Sequence, residues 1–162
     1  GTFNRWTGSL KHQATGITSH PTQSQTITSR WVSGCSLILN LAQFEHCPQF
    51  DSHYFLYYED ADLCERYYQQ GYEIAVTTDS LVTHAVSSLT QKNLQSKFQH
   101  ATYSKLYFLK QHGTTLALML NLLYMLMLMV RLSPTQPAAA VGRWQGWWQF
   151  VQRDLLRQSQ SA

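Results

Sequence analysis

Short apolar strands alternating with helical runs predict an α/β layered domain, followed by one apolar and one amphipathic helix. Three observations carry this reading. A helical run over Glu59–Gln70 sits between short apolar runs at Cys35–Leu39 and Tyr72–Val76. A longer helical pattern follows at Gln91–Gln111. Last comes an uninterrupted apolar stretch, Leu116–Val130, leading into a tail rich in Trp and Arg. The 162 residues suit one domain with an appendage. Charged residues make up only 13% and aromatics a further 13%, which excludes a disordered chain, a collagen-like repeat and a disulfide mini-protein.

Residues 1–30 read as a polar loop or linker, because 7–29 are rich in Thr, Ser, Gly and Gln and show no periodicity. The domain is expected over 31–112. Within it, Cys35–Leu39 (CSLIL) after Gly34 reads as a buried strand, and Leu41–Cys47 as a short helix stopped by Pro48. Glu59–Gln70 reads as a helix: Leu63, Cys64 and Tyr67 share one face, and Glu59, Asp60 and Asp62 occupy the first turn, where the helix dipole favours negative charge. Gly71 is placed to terminate it in a left-handed conformation. Tyr72–Val76 and Leu81–Thr83 read as short strands. Gln91–Gln111 reads as a second helix with Leu94, Phe98, Ala101 and Phe108 on one side.

The apolar segment (113–133) contains 15 consecutive mostly apolar residues, about 22 Å of helix, somewhat short of the roughly 17 to 25 residues that span a bilayer. Pro134 and Pro137 end it. In the tail (134–162), Trp144, Trp147, Trp148, Val151 and Leu155 recur as one helix face, with Arg143, Arg153 and Arg157 nearby. That is the composition of a helix lying at a membrane interface. The alternative is that both segments pack as core helices. Charge distribution bears on the choice. Eight of the nine acids lie between Glu45 and Asp79; beyond residue 80, eight bases face one acid, Asp154. These bases flank an apolar stretch, form no run and do not alternate with aromatics, which favours anionic lipid and excludes nucleic acid as the expected partner.

The candidate chemistry is concentrated at Glu59, Asp60 and Asp62. Close carboxylates resist sharing charge, so one can act as a base; they can also face a divalent cation, or simply satisfy the helix dipole. Asp60-Ala61-Asp62 spells a DxD, but on a helix positions i and i+2 diverge by about 200°, so it is not read as a metal–diphosphate signature. His84, after Leu81-Val82, can ligate a metal or be structural. Cys35, Cys47 and Cys64 lack CxxC spacing, which points to reduced thiols in a cytosolic setting. No P-loop, GxGxxG, GxSxG or HExxH is present.

Taken together, Trp31-Val32-Ser33-Gly34, Phe50-Asp51, the run Tyr54–Cys64 (YFLYYEDADLC), Arg66, Gly71-Tyr72 and His84 resemble the C-terminal half of glycosyltransferase family 2, especially its bacterial rhamnosyltransferase-like members. The resemblance covers roughly residues 31–110. It implies the C-terminal half of a GT-A, Rossmann-like fold. Asp60 then matches the general base that deprotonates the acceptor hydroxyl, and Glu59 its supporting neighbour. Trp31 and Gly34 match the acceptor-side loop, with Asp62 beside it. His84 matches a ligand of the divalent metal, Mg²⁺ or Mn²⁺. The implied donor is a dTDP- or UDP-sugar, with rhamnose the family-weighted sugar, and the acceptor a glycan or lipid-linked glycan of cell-surface polysaccharide synthesis. The expected location is the cytoplasmic face of the inner membrane, peripheral or by one short span. Pro48-Gln49 replaces the Gly-Gly usual before Phe-Asp. The family's nucleotide-binding half has no counterpart upstream of Trp31, so the chain is expected to be the acceptor-side piece of a transferase, inactive alone. Two alternatives stay open: a non-catalytic module docking on a membrane or partner, and a metal hydrolase using Asp60, Asp62 and His84.

Overall fold

A computed structural model describes residues 1–12, 26–80, 82 and 93–156. The fold is mixed α/β, with about 54% of the described residues helical and only short strands, so helices rather than a sheet carry the core. Strands β1 (Thr2–Asn4) and β2 (Ser9–Lys11) form an antiparallel hairpin, with Phe3 opposite Leu10. Strands β3 (Thr26–Thr28) and β4 (Ala75–Thr77) form a second antiparallel ribbon, with Ile27 opposite Val76. Strands β1, β2 and β3 were unforeseen, since they lie in the stretch read as a polar loop, whereas β4 overlaps the strand expected over Tyr72–Val76. Three-residue strands leave no periodic signature, and the β-branched residues of β3 find their partner nearly fifty positions away.

Helix α1 (Glu59–Gln69) ends as expected. Gly71 is left-handed (φ +91), its N–H donates to the Tyr68 carbonyl, and that of Tyr72 donates to the Tyr67 carbonyl. Leu41–Gln43 makes a single 3-10 turn. The run Cys35–Leu39 is not the buried strand expected. It is irregular, and Ile38 is 94% exposed. A buried strand needs neighbours for its backbone groups, and among the described residues none pairs with it. Instead it borders an apolar cleft of about 650 Å³ walled by Leu39, Phe44, Leu63, Tyr67, Tyr72 and Ile74. Of the expected strand Leu81–Thr83, only Val82 is a described residue, and it is not in a strand.

Three helices complete the chain: α2 (Leu94–His112), α3 (Thr115–Leu132) and α4 (Pro137–Phe150), with a further π-type turn over Val151–Leu156. Helix α2 is capped by Asn93, whose side chain accepts from the Ser96 N–H at 2.9 Å, and α3 by Thr114, which accepts from Ala117 at 3.1 Å. Gln95 and Gln99 of α2 donate in turn to Gln145 and Gln149 of α4 (3.0 and 3.4 Å), so these two helices run parallel, and α3 joins them. The core comprises Trp31, Tyr54, Ala61, Cys64, Tyr103, Leu106, Tyr107, Phe108, Leu122 and Phe150. Helix α3 is long and apolar enough to cross a membrane, yet only 22% of it is buried.

An ion pair and a hydrogen-bonded carboxylate tie the loops to this scaffold. Arg30 clamps buried Glu65 with two bonds of 2.7 Å. The Asp51 carboxylate accepts from His53 at 2.7 Å and from the Tyr107 hydroxyl at 3.0 Å. Burial alone would raise both carboxyls, but Arg30 and Gln69 hold Glu65 below its ordinary value, and His53 and Tyr107 do the same for Asp51. A depressed folded-state pKa stabilises the fold above the unfolded value and is lost as pH falls through the folded one. The melting temperature is therefore expected to drop as pH falls below about 4.5, the ordinary value for Glu65. Arg30→Met should flatten that part of the profile; an identical profile in the variant would refute the linkage.

Candidate functional site

The acid pair opens α1 immediately after an unusual backbone. Tyr57 and Tyr58 are both left-handed (φ 68 and 69), a conformation that costs a non-glycine residue of the order of 1 kcal/mol or more each. The surroundings hold them there. Ser104 Oγ donates to the Leu56 carbonyl at 2.8 Å, and the half-buried Tyr58 ring packs on Phe108 with centroids 5.4 Å apart. Burial pushes the Tyr58 hydroxyl up to about 12. This sharp corner turns the first residues of α1 toward a cleft of about 610 Å³, a size ordinary for small-ligand sites.

The cleft is walled by Trp31, Gly34, Tyr57, Glu59 and Asp60, with His12 and Lys97 at its margins. Asp60 accepts the Gly34 N–H at Oδ2 (2.9 Å) and the Ala61 N–H at Oδ1 (2.7 Å). Each oxygen keeps lone-pair capacity for an incoming donor. Glu59 is half-buried, and its Oε2 has no hydrogen-bond partner. Desolvation raises its pKa, and the Asp60 charge adds to the effect. The pair is thus asymmetric: Asp60 is held by two backbone donors, whereas Glu59 is biased toward keeping a proton. A hydroxyl placed in the cleft would meet a fixed acceptor at Asp60, which is the geometry proton abstraction needs.

Four of the sequence-derived site residues, Asp60, Glu59, Trp31 and Gly34, therefore line one cleft. Trp31 contributes as a buried wall: its Nε1 donates to the Thr2 carbonyl at 3.2 Å, and His12 packs edge-on against it at 4.5 Å. Gly34 is the direct link between the acceptor-side loop and Asp60. Asp62 is a correction. Its side chain is buried at 1% exposure and turned away from the cleft, so it is not available to an acceptor. The helical rotation between i and i+2 sends it into the interior, where it accepts from His112, Arg66 and Tyr54. His84 lies outside the described residues. Lys97 and His12 went unrecognised in the sequence because each is an isolated basic residue, brought to the cleft by α2 and by the β2 end of the hairpin.

Among the described residues, no three His, Cys, Asp or Glu side chains come together as a metal site. The cleft offers a cation the oxygens of Asp60 and Glu59, donors of the kind Mg²⁺ and Mn²⁺ take; further ligands would have to come from beyond that set. The three thiols are free; Cys64 is buried and pushed up by desolvation, which disfavours it as a nucleophile. No protein-family model, curated protein or solved structure matches this chain.

Proposed function

We propose that the chain is the acceptor-side, catalytic-base half of an inverting glycosyltransferase of family 2 type, with a GT-A half-domain over 31–112. It works at the cytoplasmic face of the inner membrane in polysaccharide synthesis. The observation that carries the reading is Asp60, fixed by Gly34 and Ala61 at the wall of an open cleft with half-buried Glu59 beside it. In the reaction, an acceptor hydroxyl of a glycan or lipid-linked glycan gives its proton to Asp60 as its oxygen attacks the anomeric carbon. The bond from that carbon to the nucleoside diphosphate breaks, its electron pair leaves with the diphosphate oxygen, and configuration inverts. One carboxylate suffices as base because no covalent intermediate is formed. A divalent cation, Mg²⁺ or Mn²⁺, when bound, would supply a charge sink for the leaving diphosphate, and His84 would be this chain's ligand to it. Lys97, which lines the cleft, would add positive charge to the site. The donor, a dTDP- or UDP-sugar with rhamnose favoured, is held by a nucleotide-binding half joined to this one.

The test is sugar transfer by the transferase comprising both halves. Asp60→Asn keeps the size and one acceptor oxygen but removes the basic group, and is expected to lower kcat by about a hundredfold or more. Transfer retained within a few-fold would refute the assignment. The second reading, a docking module without catalysis, draws on the exposed apolar surface of α3 and α4, and predicts no transfer with any nucleotide-sugar.

A further inference from the structure

Helix α3 leaves Leu116, Met119, Leu120, Leu123, Tyr124, Met127 and Val130 between 49% and 77% exposed. At 100° per residue these fall on a single arc of about 140° along the whole helix. On α4, Val141, Trp144 and Trp148 are exposed as well. The two helices that carry these stripes pack on each other. Trp147 donates from Nε1 to the Leu122 carbonyl of α3 at 3.3 Å, and its ring stacks with Trp144 and Trp148 at 5.6 and 6.5 Å. Soluble monomers do not ordinarily leave so much contiguous apolar surface uncovered.

The charges beside this surface identify what covers it. Lys105, half-buried, lies 5.9 Å from the exposed Tyr124 ring at the edge of the arc, and Arg143, half-buried behind α3, reaches the buried Met125 Sδ at 3.9 Å. The two cations are close enough that Arg143 depresses the Lys105 pKa, adding to burial, and Arg143 Nε has no hydrogen-bond partner. Arg131 is exposed at the end of the α3 stripe. The one acid of this layer, Asp154, is buried against Lys110. An apolar face rimmed by cations and lacking exposed acids complements an anionic lipid leaflet.

We infer that α3 and α4 form an in-plane docking surface for an anionic bilayer, with α3 lying along the interface rather than crossing it. The inference rests on the membrane location proposed above, not on the transfer chemistry. The 18 residues of α3 fall within the range that can cross a bilayer, so length does not decide, but spanning is disfavoured on two other counts. Its other face is already packed: Ala117, Leu122, Met125 and Met129 are buried, and the Asn121 amide donates to the Thr7 carbonyl at 3.1 Å. Crossing would also set Lys105 and Arg143 near mid-bilayer, where charge is costly. Lying flat, α3 presents its apolar arc to the acyl boundary and leaves both cations at phosphate depth.

The full chain, sedimented with vesicles, is expected to bind equal mixtures of phosphatidylcholine and phosphatidylglycerol at least about tenfold more tightly than phosphatidylcholine alone, given two or three basic groups at the surface. Alkaline carbonate should strip it from the mixed vesicles. Leu120→Glu with Leu123→Glu, both at exposed positions, should abolish binding with an unchanged circular dichroism spectrum; Lys105→Gln with Arg131→Gln should erase the preference for phosphatidylglycerol. Equal binding to both vesicle types, or resistance to carbonate with protection from protease, would overturn the inference. So would absence of binding together with a dimer, broken by the Leu120/Leu123 pair, in light scattering. Asp60→Asn should bind vesicles like the unaltered chain. Loss of transfer with binding intact would therefore remove only the transferase reading, and loss of binding with transfer intact only this one.

Discussion

Asp62→Ala is expected to destabilise the fold by about 3 kcal/mol, a large share of the roughly 5 to 15 kcal/mol that holds a domain of this size together. The carboxylate is the hub of a buried network. Oδ1 accepts from His112 Nε2 at 2.7 Å and from the Tyr54 hydroxyl at 3.3 Å, and Oδ2 accepts from Arg66 Nε at 2.8 Å. The network joins α1 to the last turn of α2, and Arg66 extends it to the Gln49 carbonyl at 2.8 Å. Removing the hub strands three donors. His112 is buried with no other hydrogen-bond partner among the described residues, whereas Arg66 is about one-third exposed and regains water, which places the cost near the lower end of the range for a broken buried pair. Asp62→Asn should cost about 1 to 3 kcal/mol, because its amide turns one acceptor into a donor facing another donor. Urea denaturation of both variants checks the order. A loss below about 1 kcal/mol for the alanine would show that the network carries little.

The contrast with Asp60 shows why the acidic motif alone did not say which of its side chains reach the cleft. Both acids were visible, and so was the rotation that separates them. What could not be read was which of the two would face inward, because the deciding partner, His112, lies fifty positions away. The helices were legible for local reasons: Gly71 ends α1 by its left-handed turn, and the apolar run of α3 needs no distant partner to be helical. Strand Cys35–Leu39 was misjudged for the opposite reason. Apolar composition predicts burial only if pairing is available, and along this stretch the neighbouring apolar cleft stays open. The Trp face of the tail was half right. Trp147 turns against α3 while Trp144 and Trp148 stay exposed, a split that depends on where α3 lies rather than on periodicity.

Gly146→Ala is expected to destabilise the protein by about 2 to 3 kcal/mol, and Gly146→Leu to detach α4 from α2. The sign makes this diagnostic, since a glycine in a helix interior ordinarily gains close to 1 kcal/mol on conversion to alanine. Here Gly142 and Gly146, one turn apart, bring α4 backbone-to-backbone with α2. A Cβ at Gly142 would fall inside the contact distance of the Gln95 carbonyl oxygen, and one at Gly146 inside that of Gln99, with the Tyr103 nitrogen 3.0 Å away. These neighbours are main-chain atoms of a helix and cannot rotate aside, so the two axes must separate. Separation would loosen Phe150 and weaken the Gln95–Gln145 and Gln99–Gln149 bonds. It would also disturb the Trp144–Trp147–Trp148 stack on which the apolar surface depends. The G-x-x-x-G spacing in Gly142–Gly146 was present in the sequence and is the signal for such close helix packing. Thermal unfolding should show a lower melting temperature for Gly146→Ala and a broad, weakly cooperative transition for Gly146→Leu; a higher melting temperature for the alanine would mean that α2 and α4 do not meet at this point.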